Sequence, residues 1–220
     1  TMDHDRNIIS NGCIVIDKDK ITAVGGGELT SCYEASRVVD AKGKFVFPGM
    51  ISTHSHLFQT MLKGLGRDKL LFDWLDSSVR TALHRFDGEM CYYAALTGCM
   101  EAIQSGTTTL LDYMYCHTSP GLSDYVTQAM EDIGIRGIYG RGFTNTANFP
   151  PEFKVAHHDT EQDMFDDVRR LYKKYEGHSR MSVALAPGII WDNTDDGYRE
   201  MRKMADEMHI PLTMHVLESE

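Results

Sequence analysis

Short apolar segments alternate with stretches of helical periodicity from residue 45 onward, and this order restricts the fold more than any other feature of the chain. It predicts an α/β fold made of βα units, because each helix returns the chain to the start of the next parallel strand. A doubly wound sheet and a (β/α)8 barrel both contain such units, and the pattern alone does not distinguish them. The predicted strands are 45–54, 107–113, 137–141, 181–186 and 211–216, and the predicted helices are 88–104, 121–133, 160–175 and 195–208.

The helices predicted at 160–175 and 195–208 carry clear local signals. Thr160 and Thr194 occupy N-cap positions, where a hydroxyl can accept hydrogen bonds from free backbone N–H groups. The apolar residues of the first of these helices recur at helical spacing, and they are Met164, Phe165, Val168, Leu171 and Tyr172. This spacing is typical of an amphipathic helix.

Residues 1–44 have a different pattern and are assigned to a small β domain. β-Branched residues in 13–16 and 21–24 flank a polar turn, which predicts a hairpin. A second strand pair is predicted on either side of Gly43, at Val38–Val39 and at 45–47. We therefore divide the chain into residues 1–44 and a larger α/β domain at 45–220.

The composition is that of an ordinary soluble globular protein, with 42% hydrophobic and 25% charged residues. The net charge of −10 disfavours nucleic acid as a partner. The five cysteines form no CxxC pair, so neither a disulfide framework nor a cysteine metal site is indicated. No apolar run approaches the ~18–20 residues that a membrane-spanning helix needs, and the first residues lack the pattern of a signal peptide. These features predict a cytoplasmic protein that acts on neither membranes nor nucleic acid.

Two histidines end the first predicted α/β strand, at His54 and His56. Residues i and i+2 of a strand point to the same side, so the two imidazoles can bind one metal ion. The pair alone has low specificity, since ten histidines in 220 residues produce about 0.45 such pairs by chance. Two hydrogen-bonded polar residues at a strand end remain the alternative.

A second cluster, His215 and Glu218, ends the last predicted strand. Three residues along a regular strand would place Glu218 opposite His215, so a joint role requires the chain to leave the strand near Leu217 and turn back. A buried histidine beside an exposed glutamate remains the alternative. Both clusters fall at the carboxyl edge of one parallel sheet, where ligand sites of such sheets form, and this favours a shared metal site.

The chain resembles the amidohydrolase superfamily, above all in residues 48–56, PGMISTHSH, and in His215-x-x-Glu218. Residues 39–43, VDAKG, and 105–109, SGTTT, add to the resemblance. The most similar part of that superfamily is the mononuclear-metal deaminase and chlorohydrolase branch. It includes cytosine, guanine, 8-oxoguanine and S-adenosylhomocysteine deaminases and the triazine hydrolases.

This resemblance implies a TIM-like (β/α)8 barrel beside a small β-sandwich, of which the chain holds barrel strands 1–5 and part of the sandwich. It implies that His54, His56 and His215 bind one divalent metal, zinc or iron. Members of the branch also use a His after strand 6 and an Asp after strand 8. Eight units of about 35 residues approach the ~250 residues of a barrel, so we expect the 220 residues to be part of a longer protein.

The implied reaction is metal-dependent hydrolysis. A bound Zn²⁺ or Fe²⁺ would supply hydroxide to a ring carbon that bears an amino group or a halogen, and Glu218 would transfer the protons. We expect deamination of a small heterocyclic substrate, namely a purine, pterin, pyrimidine or triazine. Removal of chloride or alkylamine from a triazine-like ring and a non-catalytic truncated scaffold remain open, as does a homodimer.

Four residues are candidates for substrate binding: Gln59, Trp74, Tyr113 and Arg141. Residues 56–60 and 71–75 resemble the stretch that carries pocket residues in 8-oxoguanine and isoxanthopterin deaminases. The resemblance implies that Gln59 could bind a ring edge and that Trp74 could stack on the ring, although a place in the core suits Trp74 equally well. Tyr113 follows the second barrel strand, where loops face the site. Arg141 ends the third barrel strand, and a surface ion pair is the alternative for it. His157 and His158 lie in a polar loop and are interpreted as solvated surface.

Overall fold

The computed structural model describes residues 1–149, 151–153, 155 and 157–218, and its packing divides the chain into two compact units, Thr1–Gly49 and Met50–Glu220. The predicted division at residue 44 therefore differs from this one by five residues, and the domain assignment itself stays a prediction. Among the described helices, none combines the length and hydropathy that a membrane-spanning helix requires.

The first unit contains one antiparallel hairpin, formed by β1 (Cys13–Asp17) and β2 (Lys20–Gly25). Lys18 and Asp19 form the turn, as the sequence predicted, and Lys18 takes a left-handed backbone with φ of 55°. A short 3₁₀ helix, Gly27–Ser31, follows. A β-sandwich would need a second sheet, and the sandwich stays a prediction.

The second predicted strand pair of this unit is wrong. Gly43 does form a turn, with φ of 72° and a hydrogen bond from the Lys44 N–H to the Ala41 carbonyl. No strand is assigned at Val38–Val39 or at 45–47, where the apolar side chains are exposed. A two-stranded ribbon is marginal unless one face packs on other apolar surface, and these residues bury none within the described unit.

The second unit is built on a parallel sheet of four strands in the order β3-β4-β5-β6. These strands are Met50–Ser55, Thr107–Met114, Arg136–Arg141 and Met181–Leu185. Consecutive strands are neighbours, and helices connect them, which confirms the predicted α/β class. Because all four strands run in parallel, their carboxyl ends meet at one edge of the sheet.

Six α-helices belong to the described part of this unit, and the four long ones agree closely with the predicted spans. They are α1 (Leu71–Ser77), α2 (Val79–Ala82), α3 (Gly88–Gln104), α4 (Leu122–Ile133), α5 (Glu161–Lys174) and α6 (Asp195–Met208). Three 3₁₀ helices, Leu57–Leu62, Leu83–Arg85 and Thr146–Asn148, lie in the connections. The segment from Leu57 to Arg85 therefore forms a layer of short helices after β3.

Capping residues explain the accurate helix boundaries. The Thr160 side chain accepts a hydrogen bond from the Asp163 N–H, and the Asp163 carboxylate accepts one from the Thr160 N–H. The Thr194 side chain caps α6 with a single hydrogen bond from the Gly197 N–H. Each cap satisfies backbone donors that would otherwise lack a partner, so the helix begins at that residue.

Strands β4, β5 and β6 are largely buried on both faces, as expected for parallel strands, whereas the edge strand β3 is mostly exposed. Leu110 and Met114 of β4 pack with the helices in the main core, whereas Leu111 and Tyr113 pack with Ala184 and its neighbours on the opposite face. The alternation follows from the two-residue period of a strand. The carboxyl ends of β4, β5 and β6 thus sit on a packed base.

Two predicted strand spans require correction. The first barrel strand begins at Met50 rather than at residue 45, because Pro48 has no N–H for a ladder and the partner β4 begins at Thr107, opposite Met50. The predicted strand 211–216 is reduced to one parallel bridge between Leu185 and Leu212. Since β6 ends at Leu185, the residues after the bridge have no described neighbouring strand to continue the ladder.

Candidate metal centre

Three imidazoles meet at the carboxyl edge of the sheet. His54 lies near the end of β3, His56 directly follows the strand, and His215 follows the Leu212 bridge. The Nε2 atoms lie 3.1 Å apart for His54 and His56, 3.2 Å for His54 and His215, and 3.2 Å for His56 and His215. The structure therefore brings together all three histidines that the sequence singled out.

Backbone carbonyl groups orient two of these rings. The Nδ1–H of His56 donates to the Tyr113 carbonyl at 2.6 Å, and the Nδ1–H of His215 donates to the Gly188 carbonyl at 3.0 Å. A carbonyl oxygen only accepts, so each neutral ring carries its proton on Nδ1 and presents a lone pair on Nε2. This is the tautomer that metal ligands use.

The protonation of the site favours neutral rings. Burial lowers the pKa of His56 to about 4, which outweighs its hydrogen bond to Tyr113. Burial, with a further contribution from His215, also lowers the pKa of His54. The imidazole nitrogens of His54 and His56 are thus available as ligands at neutral pH without competition from protons.

The donor set fits a divalent transition metal. The Nε2 lone pairs of His56 and His215 face each other without a proton to share, an arrangement that a cation between them would relieve. The three Nε2 atoms are about 3.2 Å apart and therefore lie on a circle with a radius of about 1.8 Å. A position ~2.0–2.1 Å from all three atoms exists about 1 Å above the plane of that circle. That is the length of a Zn–N bond, and the open side of the triangle is left for water or substrate.

Strand β4 holds the end of β3 through three consecutive residues. The Ser55 hydroxyl donates to the Leu111 carbonyl at 2.8 Å, and the Leu57 N–H donates to the Asp112 carboxylate at 2.8 Å. With the bond from His56, these contacts fix the backbone on both sides of that ring. Sequence reasoning did not assign a role to Asp112, although a carboxylate within an apolar strand is a recognisable signal.

Asp112 itself is fully buried at the end of β4. Burial raises its pKa to about 7, partly offset by hydrogen bonds from the Leu57 and Tyr113 N–H groups. Its Oδ2 atom has no hydrogen-bond partner among the described residues. A buried carboxyl without a counter-ion favours the protonated form.

Glu218 lies on the same side of the sheet as the histidines. The chain is not in a strand at this point, and Leu217 takes a left-handed backbone with φ of 58°. This is the turn that a joint role of His215 and Glu218 requires. Glu218 lines a pocket together with His56 and His215.

The pocket beside the histidines is enclosed mainly by apolar side chains. Gln59 and Trp74, both predicted to bind substrate, line it. The Gln59 amide donates to the Tyr115 hydroxyl at 2.8 Å, and Tyr115 also lines the pocket. The Gln59–Tyr115 pair is thus a polar group in a largely apolar site. The remaining lining residues are Leu71, Phe72, Leu75, Val79, Arg80, Leu83, Cys116, Thr144, Phe149, Gly188, Ile189 and Trp191.

Trp74 is partly buried and has a fixed position. Its ring packs against the main core on one side and lines the pocket on the other, so both interpretations of this residue hold. A Cβ atom on Gly66 would lie 2.6 Å from Cδ1 of the indole, and Gly66 has a φ of 68°. Glycine is therefore required at 66 for both the turn and the close contact.

Tyr113 lies behind the histidines rather than in the pocket. Its ring centroid is 4.3 Å from that of His215, 5.2 Å from that of His54 and 5.3 Å from that of His56. Its hydroxyl donates to the carbonyl of Pro187, and Tyr113 is fully buried. The structure gives it a supporting position under the three rings.

Arg141 is not brought to the pocket. Its guanidinium binds both oxygens of Asp159 at 2.7 and 2.9 Å, and its Nε donates to Asp167 at 2.9 Å. It also donates to Nδ1 of His117 at 2.8 Å. The predicted surface ion pair exists as a buried one, with Arg141 only 3% exposed. Sequence reasoning missed this because Asp159 lies 18 residues away in the chain.

A second group of potential ligands, His157, Asp159 and Asp163, has its ligand atoms within 4.8 Å of one another. Asp159 is already bound by Arg141, and Asp163 caps α5. His158 is exposed and bonded to the Thr146 hydroxyl, in agreement with a surface loop. Because its carboxylates have partners, this cluster is a weaker metal site than the three histidines.

Comparison with known proteins agrees with this architecture. The model of a family described as the amidohydrolase family matches residues 45–220. The chain belongs to the amidohydrolase family. This confirms the resemblance found in the sequence.

Two curated relatives are deaminases of adenosine derivatives by name. A 5-methylthioadenosine/S-adenosylhomocysteine deaminase of Nitratidesulfovibrio vulgaris is 30% identical over 220 residues, which cover 100% of this chain and 47% of the relative. A 5'-deoxyadenosine deaminase of Methanothermobacter thermautotrophicus is 31% identical over 216 residues, covering 96% of this chain and 46% of the relative. The chain thus spans about half the length of the curated relatives it matches.

A solved structure shows the same fold. Atrazine chlorohydrolase from Arthrobacter aurescens, as a variant complexed with zinc and atraton, superposes with a TM-score of 0.81 at 20% identity. The match covers 98% of this chain and 50% of that structure. It supports the α/β arrangement around the parallel sheet.

Proposed function

We propose that the protein is a metal-dependent hydrolase that deaminates an aminated N-heterocycle. The observation that carries the proposal is the convergence of the His54, His56 and His215 Nε2 atoms beside a pocket that Glu218 also lines. Three neutral imidazoles with an open side are typical of a catalytic rather than a structural metal site. The names of the two curated relatives support the deaminase assignment.

The metal in this proposal is zinc, with iron as the alternative. Zinc is present in the structurally similar chlorohydrolase, and imidazole ligands suit both ions. The four described parallel strands and the Leu212 bridge would be the first five strands of a (β/α)8 barrel. Such barrels place their catalytic groups at the carboxyl ends of the strands, where the three histidines lie.

Each residue has a distinct role in this reaction. A metal held by the three histidines would lower the pKa of a water molecule and so supply hydroxide at neutral pH. Glu218 would accept one proton from the attacking water and pass it to a ring nitrogen next to the reacting carbon. It would then pass the proton of the added hydroxyl to the leaving amine. The C–N bond breaks as a carbonyl forms on the ring, so one ring amine and one water give one oxo compound and one ammonia.

Binding of the ring is assigned to Gln59 and Trp74. In the Gln59–Tyr115 pair, one hydrogen-bonding group of each partner remains for a ring nitrogen or an exocyclic amine. Trp74 offers an aromatic surface that is held in place by Gly66 and α1. We assign Tyr113 to support of the ligands and Arg141 to the stability of the fold, not to substrate.

The test is ammonia release by the protein expressed from its complete gene. The zinc-loaded protein is assayed with aminopurines, aminopterins, aminopyrimidines and aminotriazines, with and without a chelator. Chelator-sensitive ammonia release is expected from at least one class. Silence across the panel in protein with bound zinc would contradict the proposal and shift the assignment to removal of halide or alkylamine.

A matched pair of variants tests the proton transfer. Glu218→Gln keeps the size and polarity of the side chain but cannot accept a proton, so kcat should fall by about 10²–10⁴-fold with the zinc content unchanged. Glu176→Gln changes an exposed glutamate at the end of α5 and should leave kcat unaltered. Full activity of Glu218→Gln would remove Glu218 from the mechanism.

A further inference from the structure

The side chain of Tyr113 extends from β4 to the turn that follows β6. Its ring is fully buried and belongs to the same packed cluster as Ala184 and Ala186. Its hydroxyl donates to the Pro187 carbonyl and lies 3.3 Å from the Gly188 carbonyl oxygen. Because the ring is held by packing, the hydroxyl has a fixed position beside these two carbonyl groups.

The second of these carbonyl groups orients one of the histidines. The Gly188 carbonyl accepts the Nδ1–H of His215 at 3.0 Å. Gly188 lies beyond the end of β6 at Leu185, so its carbonyl is not part of a strand ladder. Contacts on both sides hold the turn instead, since the Gly188 N–H donates to the Phe143 carbonyl at 2.9 Å and the Tyr113 hydroxyl contacts the carbonyl side. The orientation of the His215 ring thus depends on a turn that Tyr113 supports.

Two separate groups of Tyr113 act on two different histidines. Its backbone carbonyl accepts the Nδ1–H of His56 at 2.6 Å, whereas its hydroxyl acts on His215 through the turn. Replacement of Tyr113 by phenylalanine removes only the hydroxyl, because the backbone carbonyl and the aromatic ring remain. The contribution of the hydroxyl can therefore be separated from the packing of the ring and from the support of His56.

We propose that the hydroxyl of Tyr113 is a positioning group for the metal ligand His215 and acts through the carbonyl groups of Pro187 and Gly188. It keeps the Nε2 lone pair of His215 directed at the point where the other two ring nitrogens meet. Hydrogen bonds around a metal site fix the orientation of histidine ligands, and their loss weakens metal binding. This inference rests on the proposed function only through the metal site and does not depend on which bond is hydrolysed.

Zinc affinity of two tyrosine variants tests this role. The protein expressed from its complete gene is used, and its Kd for zinc is measured by competition with a chelator of known affinity. Tyr113→Phe should raise the Kd about tenfold, at the lower end of the losses that follow removal of such hydrogen bonds. Tyr139→Phe is the matched control, because Tyr139 is equally buried in β5 and its hydroxyl contacts His117 at 3.1 Å. Its Kd should be unchanged.

The Co²⁺-loaded proteins give a second readout that does not depend on turnover. The visible absorption bands of Co²⁺ follow the geometry of its ligands, whereas a general loss of stability in protein that remains folded leaves them unaltered. Tyr113→Phe should change these bands, and Tyr139→Phe should not. An unchanged zinc Kd for Tyr113→Phe would overturn the inference, as would an equal rise in both variants.

A further variant acts on the same turn and keeps the tyrosine, which provides a test if Tyr113→Phe does not fold. A Cβ atom on Gly188 would lie 2.5 Å from the Phe143 carbonyl oxygen, so Gly188→Ala must shift the turn. This variant should raise the zinc Kd at least as much as Tyr113→Phe, and an unchanged Kd would overturn the inference.

The outcomes for zinc binding and for ammonia release are independent. A raised zinc Kd in Tyr113→Phe, without ammonia release by the unmodified protein from any ring of the panel, would support the role of the hydroxyl and contradict only the deaminase assignment. Ammonia release with an unchanged Kd in Tyr113→Phe would contradict only the role of the hydroxyl. Failure of the unmodified protein to bind zinc would contradict the metal site and with it both proposals.

Discussion

Replacement of Arg141 by methionine removes the counter-ion of a buried carboxylate and should destabilise the fold strongly. Arg141 makes a two-point contact with Asp159, and both side chains are about as buried as the core, at 4% exposure. Asp167 retains Arg170 as a partner, so Asp159 is the group left unpaired. Loss of one partner from a buried ion pair costs about 3–5 kcal/mol, and we expect this loss in the free energy of unfolding.

Arg199→Met is the matched control for this variant. Arg199 contacts Asp196 at 2.7 Å, but the two side chains are 71% and 94% exposed. Solvent screens such a pair, so its removal should cost no more than about 1 kcal/mol. Urea unfolding followed by circular dichroism measures both variants against the unmodified protein.

Two further measurements separate the unpaired charge from lost packing. Burial raises the pKa of Asp159 despite Arg141, and without Arg141 it should rise further. The penalty of Arg141→Met should then be largest above the pKa of the folded state and should shrink as lower pH protonates Asp159. Arg141→Met combined with Asp159→Leu should recover most of the loss. A penalty equal to that of Arg199→Met, or one independent of both pH and Asp159, would refute the reasoning.

Three other variants test separate parts of the structure. His56→Ala should lose its zinc on gel filtration, as measured by elemental analysis. His4 is exposed, and His4→Ala should keep its zinc. Equal zinc content in the two variants would exclude His56 as a ligand. Burial raises the pKa of Asp112 from 3.8 to about 7 in the folded protein. Between these two pH values the carboxyl ionises in the unfolded chain but stays protonated in the folded one. As pH rises through this interval, the metal-free protein therefore loses up to about 4 kcal/mol of its free energy of unfolding. Asparagine at 112 does not titrate. The free energy of unfolding of Asp112→Asn, relative to that of the unmodified protein, should therefore be higher at pH 8.5 than at pH 5. Urea unfolding measures this difference, and a difference that does not change with pH would contradict the prediction. Thr160→Ala should cost about 1 kcal/mol through loss of the capping box, and Thr160→Ser much less; a thermal melt in which serine and alanine behave alike would argue against the cap.

Local signals allowed the sequence to predict the long helices and the inner strands. The capping threonine at 160 and the apolar residues that follow it act within a few residues, and α5 begins one residue after that threonine. The span 38–47 was mispredicted as a strand pair because β propensity describes a segment that has a partner, and these residues have none in the described unit. The strand predicted at 211–216 shortened to a bridge for the same reason.

The candidate site also contains some residues whose positions the sequence could predict and others whose positions it could not. The convergence of His54, His56 and His215 was predictable because parallel strands end at one edge, and this requires only the strand order. The place of Arg141 was not predictable, since its partner Asp159 belongs to a loop whose path depends on tertiary packing. The contact between Gln59 and Tyr115 escaped prediction because it joins residues 56 positions apart.

The pocket takes its parts from two structurally separate sources. The three histidines lie at strand ends that the β4 contacts hold in place, whereas the pocket-lining Leu71 and Leu75 belong to the connection of short helices after β3. No residue of that connection takes part in a strand pairing of the sheet. Chemistry and selectivity can therefore diverge independently during evolution. A randomised library confined to the half-buried Leu71 and Leu75 would vary the pocket surface while retaining the ligand geometry, because Val79 and Leu83 belong to the main core and stay unchanged.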